Sequence, residues 1–363
     1  MVNKILFITV NRNSKKHGGR ELLSNLMLKT LHHLFHGKVE IFELNSFIST
    51  SIFIKFIKSL FGYINGVNEK SISDVLTIVK NNKLEYIFID GSNLGIVAAA
   101  IKREYSNARV ITFYHNVESR FFWGSFLEHK TPRSFAVYIA NSIAERSAAK
   151  YSDINICLSE RDRLLLSKIY GAENTAVCSL AMEDRYQIGD FGCLPLVKMK
   201  YALFVGSDFY ANISGITWFI KNVVPRIDIK IIVVGQGMDK LREEYQIPNR
   251  VEIIGAVDGL NEWYRNAHFI IAPIFGGSGM KTKVAEALMH GKKVVGTSEA
   301  FCGYELVVNQ AGWVCNTADE FAAVINSCSN YIKYPFDPSV RKLYEEHYSV
   351  NAAIFQLKQI LLS

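Results

Sequence analysis

No run of 18 or more apolar residues occurs anywhere in this 363-residue chain, which excludes a conventional membrane-spanning helix. The opening stretch MVNKILFITVN has no small-residue cleavage pattern, so it reads as a first strand and not as a secretory leader. Cysteine pairs at C-x-x-C spacing are absent. The six cysteines (Cys157, Cys178, Cys193, Cys302, Cys315 and Cys328) are scattered, which argues against a disulfide framework or a thiolate metal site and for buried thiols in a reducing compartment. G-x-x-x-x-G-K-[ST] is missing, so there is no P-loop. The first βα turn lacks G-x-G-x-x-G, which argues against a dinucleotide oxidoreductase.

What is present is a well-buried globular chain, 49% hydrophobic with a mean hydropathy of +0.10, long enough for two domains with their own cores. A formal charge of +7 and a pI near 8.9 call for an anionic partner: a phosphate ligand, a membrane surface or nucleic acid. The basic residues are dispersed, so nucleic acid is not expected. Short apolar strands alternate with helical segments. KILFITV (4–10), KVEIFEL (38–44), YIFID (86–90), RVITFY (109–114), INICLS (154–159) and NTAVCSL (174–180) make a first set. YALFVG (201–206), DIKIIVVG (228–235), RVEIIGAV (250–257), HFIIAPI (268–274) and KKVVGT (292–297) make a second. This α/β pattern predicts two doubly wound parallel sheets, in domains 1–182 and 200–345, joined by a Gly- and Pro-bearing linker at 183–199. A last helix, 346–363, is expected to pack back on the first domain. Two such Rossmann-like domains would face a central cleft and hold the ligand there.

The chemistry concentrates in APIFGGSGMKTKVAEALMHGKKVVGT (272–297). A bare loop follows an apolar strand and opens a helix, whose free N–H groups and positive dipole end favour phosphate. Glycine lets the backbone approach the ligand closely. Lys281 and Lys283 add cations. Glu286, one turn further on, does not favour phosphate but suits hydroxyls such as those of a ribose. A glycine-rich turn with solvated lysines and a helix-surface glutamate is the plain structural alternative.

Pro273, Gly277, Gly279, Lys281, Lys283, Val284, Glu286, Ala287, Gly291, Val294 and Val295 resemble, in order, the donor-site signature of the family 4 retaining glycosyltransferases of GT-B fold. FVGSDFYANISGITWFIKNVVPRI (204–227), HNVES (115–119) and GGREL (18–22) resemble further family segments. The resemblance implies a transfer enzyme that takes a nucleotide sugar as substrate, needs no cofactor, and glycosylates a hydroxyl of a glycan or lipid-linked acceptor with retention, in polysaccharide or glycolipid biosynthesis. It implies catalytic roles for His115, Lys281 and Glu286, and substrate binding by Gly18, Gly19, Asn116, Gly206, Gly277, Ser278, Gly279 and Met280. Asn116 and Glu118 would hold the His115 loop by local hydrogen bonds. Two departures stand out. The first of the family's two glutamates falls on Ser278, and SDFYANIS after Gly206 holds no arginine or lysine. No D-x-D stretch occurs, so a metal on the donor diphosphate is not expected.

SIFIKFIKSLFGYI (51–64) carries Lys55 and Lys58 among large apolar residues, as a helix lying in a membrane interface does; a core helix with two snorkelling lysines is the alternative. FFWGSF (121–126) is a second aromatic run. Together they suit a lipid-linked acceptor and a cytoplasmic enzyme at the inner membrane face. Two rival readings remain: a sugar-nucleotide epimerase of similar architecture, and a non-catalytic sugar-phosphate binding protein.

Overall fold

The computed structural model describes residues 4–11, 19–45, 52–186, 200–277, 279–331 and 336–362. The chain forms two compact units, one of Met1–Ser179 with Ala353–Ser363 and one of Leu180–Ala352.

In the first unit six strands form one parallel sheet in the order β2-β1-β3-β4-β5-β6: β1 Ile5–Asn11, β2 Val39–Asn45, β3 Tyr86–Asp90, β4 Arg109–Tyr114, β5 Ile154–Cys157 and β6 Thr175–Val177. After its first residue each of β3 and β4 is buried throughout, because helices cover both faces. Those helices are α1 Gly19–Leu34, α2 Ile52–Ser59, α3 Glu69–Asn82, α4 Gly95–Glu104, α5 Glu118–His129, α6 Pro132–Tyr151 and α7 Glu160–Tyr170. Their starts are chemically marked. Asn68 and Ser71 make a capping box on α3, Thr131 and Ser134 make one on α6 with Pro132 at its first position, and the Ser159 hydroxyl accepts the Asp162 N–H on α7.

The second unit repeats the plan in the order β12-β11-β10-β7-β8-β9, again parallel throughout: β7 Tyr201–Val205, β8 Lys230–Val234, β9 Val251–Gly255, β10 Phe269–Ala272, β11 Val294–Gly296 and β12 Gly312–Val314. Its helices are α8 Tyr210–Asn222, α9 Arg242–Tyr245, α10 Asn261–Asn266, α11 Thr282–Met289, α12 Val308–Ala311, α13 Ala318–Tyr331 and α14 Pro338–His347.

The sequence reading set the first boundary at residue 182. The structure divides the chain between Ser179 and Leu180 instead, because the next residues are tied to the second unit. Met182 N–H bonds the Tyr348 carbonyl (2.9 Å), and Arg341 pairs with Asp184. Of the 183–199 linker, residues 187–199 lie outside the described residues. The final helix, α15 Val350–Leu362, belongs to the first unit from Ala353 on. There Gln356 Oε1 accepts the Ser179 N–H (3.0 Å), and Arg109 donates to the Leu361 carbonyl (2.9 Å). No helix among the described residues is long and apolar enough to cross a membrane.

Candidate donor and acceptor sites

In a doubly wound sheet the connections leave in opposite directions where the strand order reverses, and ligands sit beyond the strand ends at that point. In the second unit the reversal falls between β7 and β10. The loops that follow those strands begin at Gly206 and Pro273.

Gly206 lies against Asn212, on the first turn of α8: a Cβ there would come within 2.8 Å of the Asn212 side chain. Asn212 Nδ2 donates to the Ser207 carbonyl (3.0 Å), and its Oδ1 accepts from Lys283 Nζ (2.8 Å). The Lys283 ammonium also stands 4.3 Å from the centre of the Phe204 ring. Lys283 is buried; that burial pulls its pKa down to about 7, with Glu286 acting upward and Lys281 downward.

After β10 the chain turns through Gly277 (φ +110°) and Gly279 (φ +67°), conformations open to glycine but strained for other residues. Ser278, between them, lies outside the described residues. α11 begins directly after Lys281, whose ammonium is held by the Gly279 carbonyl (2.8 Å) and Glu299 Oε1 (3.0 Å). Met280 is buried, with its sulfur accepting the Leu180 N–H (3.4 Å) and its side chain against Gly303, so only its main chain is left to meet a ligand. Glu286 is half-buried, not a solvated helix-surface residue. Its Oε2 accepts the Tyr264 hydroxyl (2.8 Å), and the Tyr264 ring stacks on His290 with centroids 5.0 Å apart. Burial raises the Glu286 pKa, against the Tyr264 hydrogen bond and the charges of Arg185 and Lys283.

In the first unit the order reverses between β1 and β3. Asp90 ends β3, and His115 follows β4. His115 Nε2 and Asp90 Oδ1 are 2.7 Å apart, and Thr9 donates to Asp90 Oδ2 (2.7 Å). Burial acts upward on the Asp90 pKa, but the charge and hydrogen bond of His115, with Ser24 and Thr9, hold it down at about 2. Ionised, Asp90 only accepts, so His115 Nε2 carries the proton between them. His115 is 3% exposed. Arg20, one residue beyond Gly19 on α1, donates to Asn93 Oδ1 (3.1 Å) and stands 3.8 Å from Glu118. Gly18 lies outside the described residues.

Asn116 makes no side-chain hydrogen bond to a described residue. The anchor of the His115 loop is Glu145 on α6, fully buried, which accepts the N–H groups of Glu118 (2.7 Å) and Ser119 (3.0 Å) and the hydroxyls of Ser92 and Tyr170 (3.0 Å each). Burial raises its pKa, with those N–H groups opposing.

Residues 199–330, which contain the entire β7–β12 sheet and the β10–α11 loop, match the family model described as "Glycosyl transferases group 1". The chain carries a group 1 glycosyltransferase domain. By that domain it is a glycosyltransferase, and its fold is GT-B. Three solved structures illustrate the likeness. Anabaena HepE in complex with UDP is 18% identical over 99% of both chains, with a TM-score of 0.68. Thermosynechococcus elongatus sucrose-phosphate synthase is 14% identical over 99% of this chain and 98% of that one, with a TM-score of 0.70. WaaG, a glycosyltransferase involved in lipopolysaccharide biosynthesis, is 14% identical over 99% and 100%, with a TM-score of 0.62. At these identities the likeness is one of fold. No curated protein matches the chain.

Within this glycosyltransferase domain the structure brings Gly206, Lys283 and Asn212 together, and it holds Glu286 through Tyr264. Sequence reasoning counted Lys283 among the cations near the phosphate, without its Asn212 contact, and it missed Asn212 and Tyr264. The signal for Asn212 was its place just after the switch-point strand; Tyr264 is 22 residues from its partner, and no local pattern marks it. Among the described residues no group of three or more His, Cys, Asp or Glu side chains is gathered as a metal site.

Proposed function

We propose that this glycosyltransferase moves a sugar from a nucleotide-sugar donor to a hydroxyl of a glycan or lipid-linked acceptor, with retention and without a metal, in polysaccharide or glycolipid biosynthesis. One observation carries the donor assignment: a glycine turn opens α11 at the switch point, and Glu286, one turn in, has one carboxylate oxygen fixed by Tyr264. An oriented carboxylate suits a ribose diol, and free N–H groups at the helix start suit a diphosphate. The match of residues 199–330 to the family and the UDP bound by HepE support the same reading.

In this mechanism the donor diphosphate lies on the main chain of Gly277, Gly279 and Met280 and the first turn of α11. Gly206 lets the β7 loop close on it. Lys281 leaves Glu299 to meet the departing charge, and Lys283, through Asn212, fixes the Gly206–Ser207 turn. In the first unit His115, its Nε2–H committed to Asp90, offers Nδ1 to a sugar hydroxyl. Segment 51–64 meets a membrane surface. Its helix α2 leaves Ile54, Phe56 and Ile57 exposed, and Phe61 follows at 65% exposure, which supports an interfacial role over a core helix. Lys58 pairs with Glu69 (2.8 Å), so part of its charge is already answered.

A thermal-shift panel of nucleoside diphosphates and sugar nucleotides tests the donor assignment, since a ligand of the native state raises the melting temperature by mass action. The expected result is a shift with one base, followed by acceptor-dependent turnover that EDTA leaves intact. An epimeric sugar nucleotide formed from donor alone, or tight binding without turnover on any acceptor, would replace the reading with one of its rivals.

A further inference from the structure

Beside the strand ends of the first unit lies a cavity of about 630 Å³, lined by α2, the turn after it, α5 and the start of α6, with Arg20 of α1 and Asn93. Phe56, Ile64, Phe122 and Val137 make its walls apolar. Its charges are of one sign: Arg20 and Arg133 line it, and no described lining residue is acidic. Arg20 is engaged by Asn93 and Glu118. Arg133, in the exposed first turn of α6, makes no hydrogen bond or ion pair with a described residue. Arg20 also lines a smaller cavity together with Asp90, the partner of His115, so the apolar space adjoins the His115–Asp90 pair.

An uncharged apolar ligand would leave the Arg133 guanidinium beside carbon, and a free sugar would leave the aromatic walls against water. A ligand with both characters satisfies both. We propose that this cavity binds an amphiphile that carries a phosphate on an isoprenoid or alkyl chain, with the chain against Phe56, Phe122 and Val137 and the phosphate on Arg133. The proposal rests on the glycosyltransferase reading and names its acceptor class: a phosphate-bearing lipid whose attached hydroxyl is presented toward His115.

Calorimetry on the full chain tests it with three probes: farnesyl phosphate, farnesol and inorganic phosphate. Farnesyl phosphate is expected to bind at least about tenfold tighter than either of the others. Arg133→Ala should remove the advantage over farnesol while leaving farnesol binding unchanged. Ala136→Trp, which places a ring in the cavity, should weaken both farnesyl probes by about tenfold or more. Both variants should keep the donor-induced thermal shift, which reports folding and the donor site separately. Equal affinity for farnesol and farnesyl phosphate, or an unchanged profile in Arg133→Ala, overturns the proposal. Loss of the donor shift in the wild type overturns the enzyme reading instead. Should Ala136→Trp fail to fold, Arg133→Ala, on an exposed helical turn, decides alone.

Discussion

The two units share a sheet plan but bury ionisable side chains of opposite kind. In the first the buried ionisable groups are mainly acids, Asp90, Glu118, Glu145 and Asp162, with His115 set against Asp90. In the second they are bases, His268, Lys283, His290 and Lys292. Burying a charge is costly unless it is answered, so each unit shows what it was built to answer. The first uses carboxylates to hold its own helix starts and cations. The second keeps bases in its interior, Lys283 among them close to the turn where a diphosphate is proposed to bind. His268 and His290, lowered to about 4, are neutral near pH 7, and Lys292 is answered by the Arg265 and Ala267 carbonyls, so Lys283 alone of these bases bears on the proposed diphosphate site.

The largest expected effect breaks the first unit. Glu145 answers two backbone N–H groups and two hydroxyls at once. Glu145→Ala leaves all four without that partner and should cost about 3 kcal/mol or more; Glu145→Gln, which keeps one acceptor oxygen, should cost less. Urea-gradient proteolysis, with fragments assigned by mass, is expected to show residues 4–179 cut at lower urea while the second unit is unchanged. Equal resistance in the alanine variant would show that water replaces the carboxylate and that the buried acid is not the anchor.

The next effect tests the donor side. Glu286→Gln keeps an acceptor for Tyr264, and Glu286→Ala does not. Both should weaken nucleotide-sugar binding about 10- to 100-fold by calorimetry, some 1.4–2.7 kcal/mol. The alanine variant should also lose about 1 kcal/mol of stability because the Tyr264 hydroxyl is left without its partner. Full donor affinity in both would remove Glu286 from the ribose.

Much of this fold is legible in sequence, for a physical reason. Strands buried on both faces must be apolar nearly throughout, so YIFID and YALFV announce themselves, and β3 runs over the very residues expected, 86–90. α5 was hidden. Phe121, Phe122 and Trp123 are consecutive, a run without helical period, because this helix is apolar on its outer side as well: Trp123 and Leu127 are exposed. β12 is three residues long, too short to carry a pattern. The β10–α11 loop was legible because its backbone demands glycine at Gly277 and Gly279. The partners that orient the site were not, since Asp90 reaches His115 across 25 residues and Glu145 sits in an ordinary alanine-rich helix beside Arg146. Local sequence records a residue's own conformation and says little about its distant partners.

A smaller effect concerns the outer surface of the first unit, where exposed apolar groups replace buried acids. Reversing Lys55 and Lys58 to glutamate should reduce sedimentation with anionic vesicles about tenfold at low salt, from about 1 kcal/mol per lysine with the Lys58 share diminished by Glu69. Salt should narrow the gap. Wild-type protein that shows no preference for anionic over neutral vesicles would end the membrane proposal.

The smallest effect separates the units by pH alone. Burial, aided by nearby lysine charge, lowers the pKa of both His268 and His290 from 6.5 to about 4. Between those values the unfolded chain binds more protons than the folded one, so the second unit loses stability as pH falls from 6.5 toward 4. Glu286, raised by burial, acts in the opposite sense and offsets part of that loss. Lys283 and Lys292, lowered to about 7 from 10.5, act mainly above neutrality, and the end of their titration just below pH 7 adds slightly to the same loss. In the first unit Asp90, at about 2, contributes stability that is lost only below the ordinary carboxylate range. Glu145 is raised, so its folded form holds a proton more readily and favours the native state as pH falls. Moving from pH 7 to pH 5 should therefore lower the melting temperature of the second unit by about 2–4 °C and leave the first unchanged or slightly higher. Proteolysis at graded temperature, read fragment by fragment, measures both at once. Replacing His290 with phenylalanine should flatten the response of the second unit. A loss confined to the first unit would reverse the assignment of buried acids and bases to their roles.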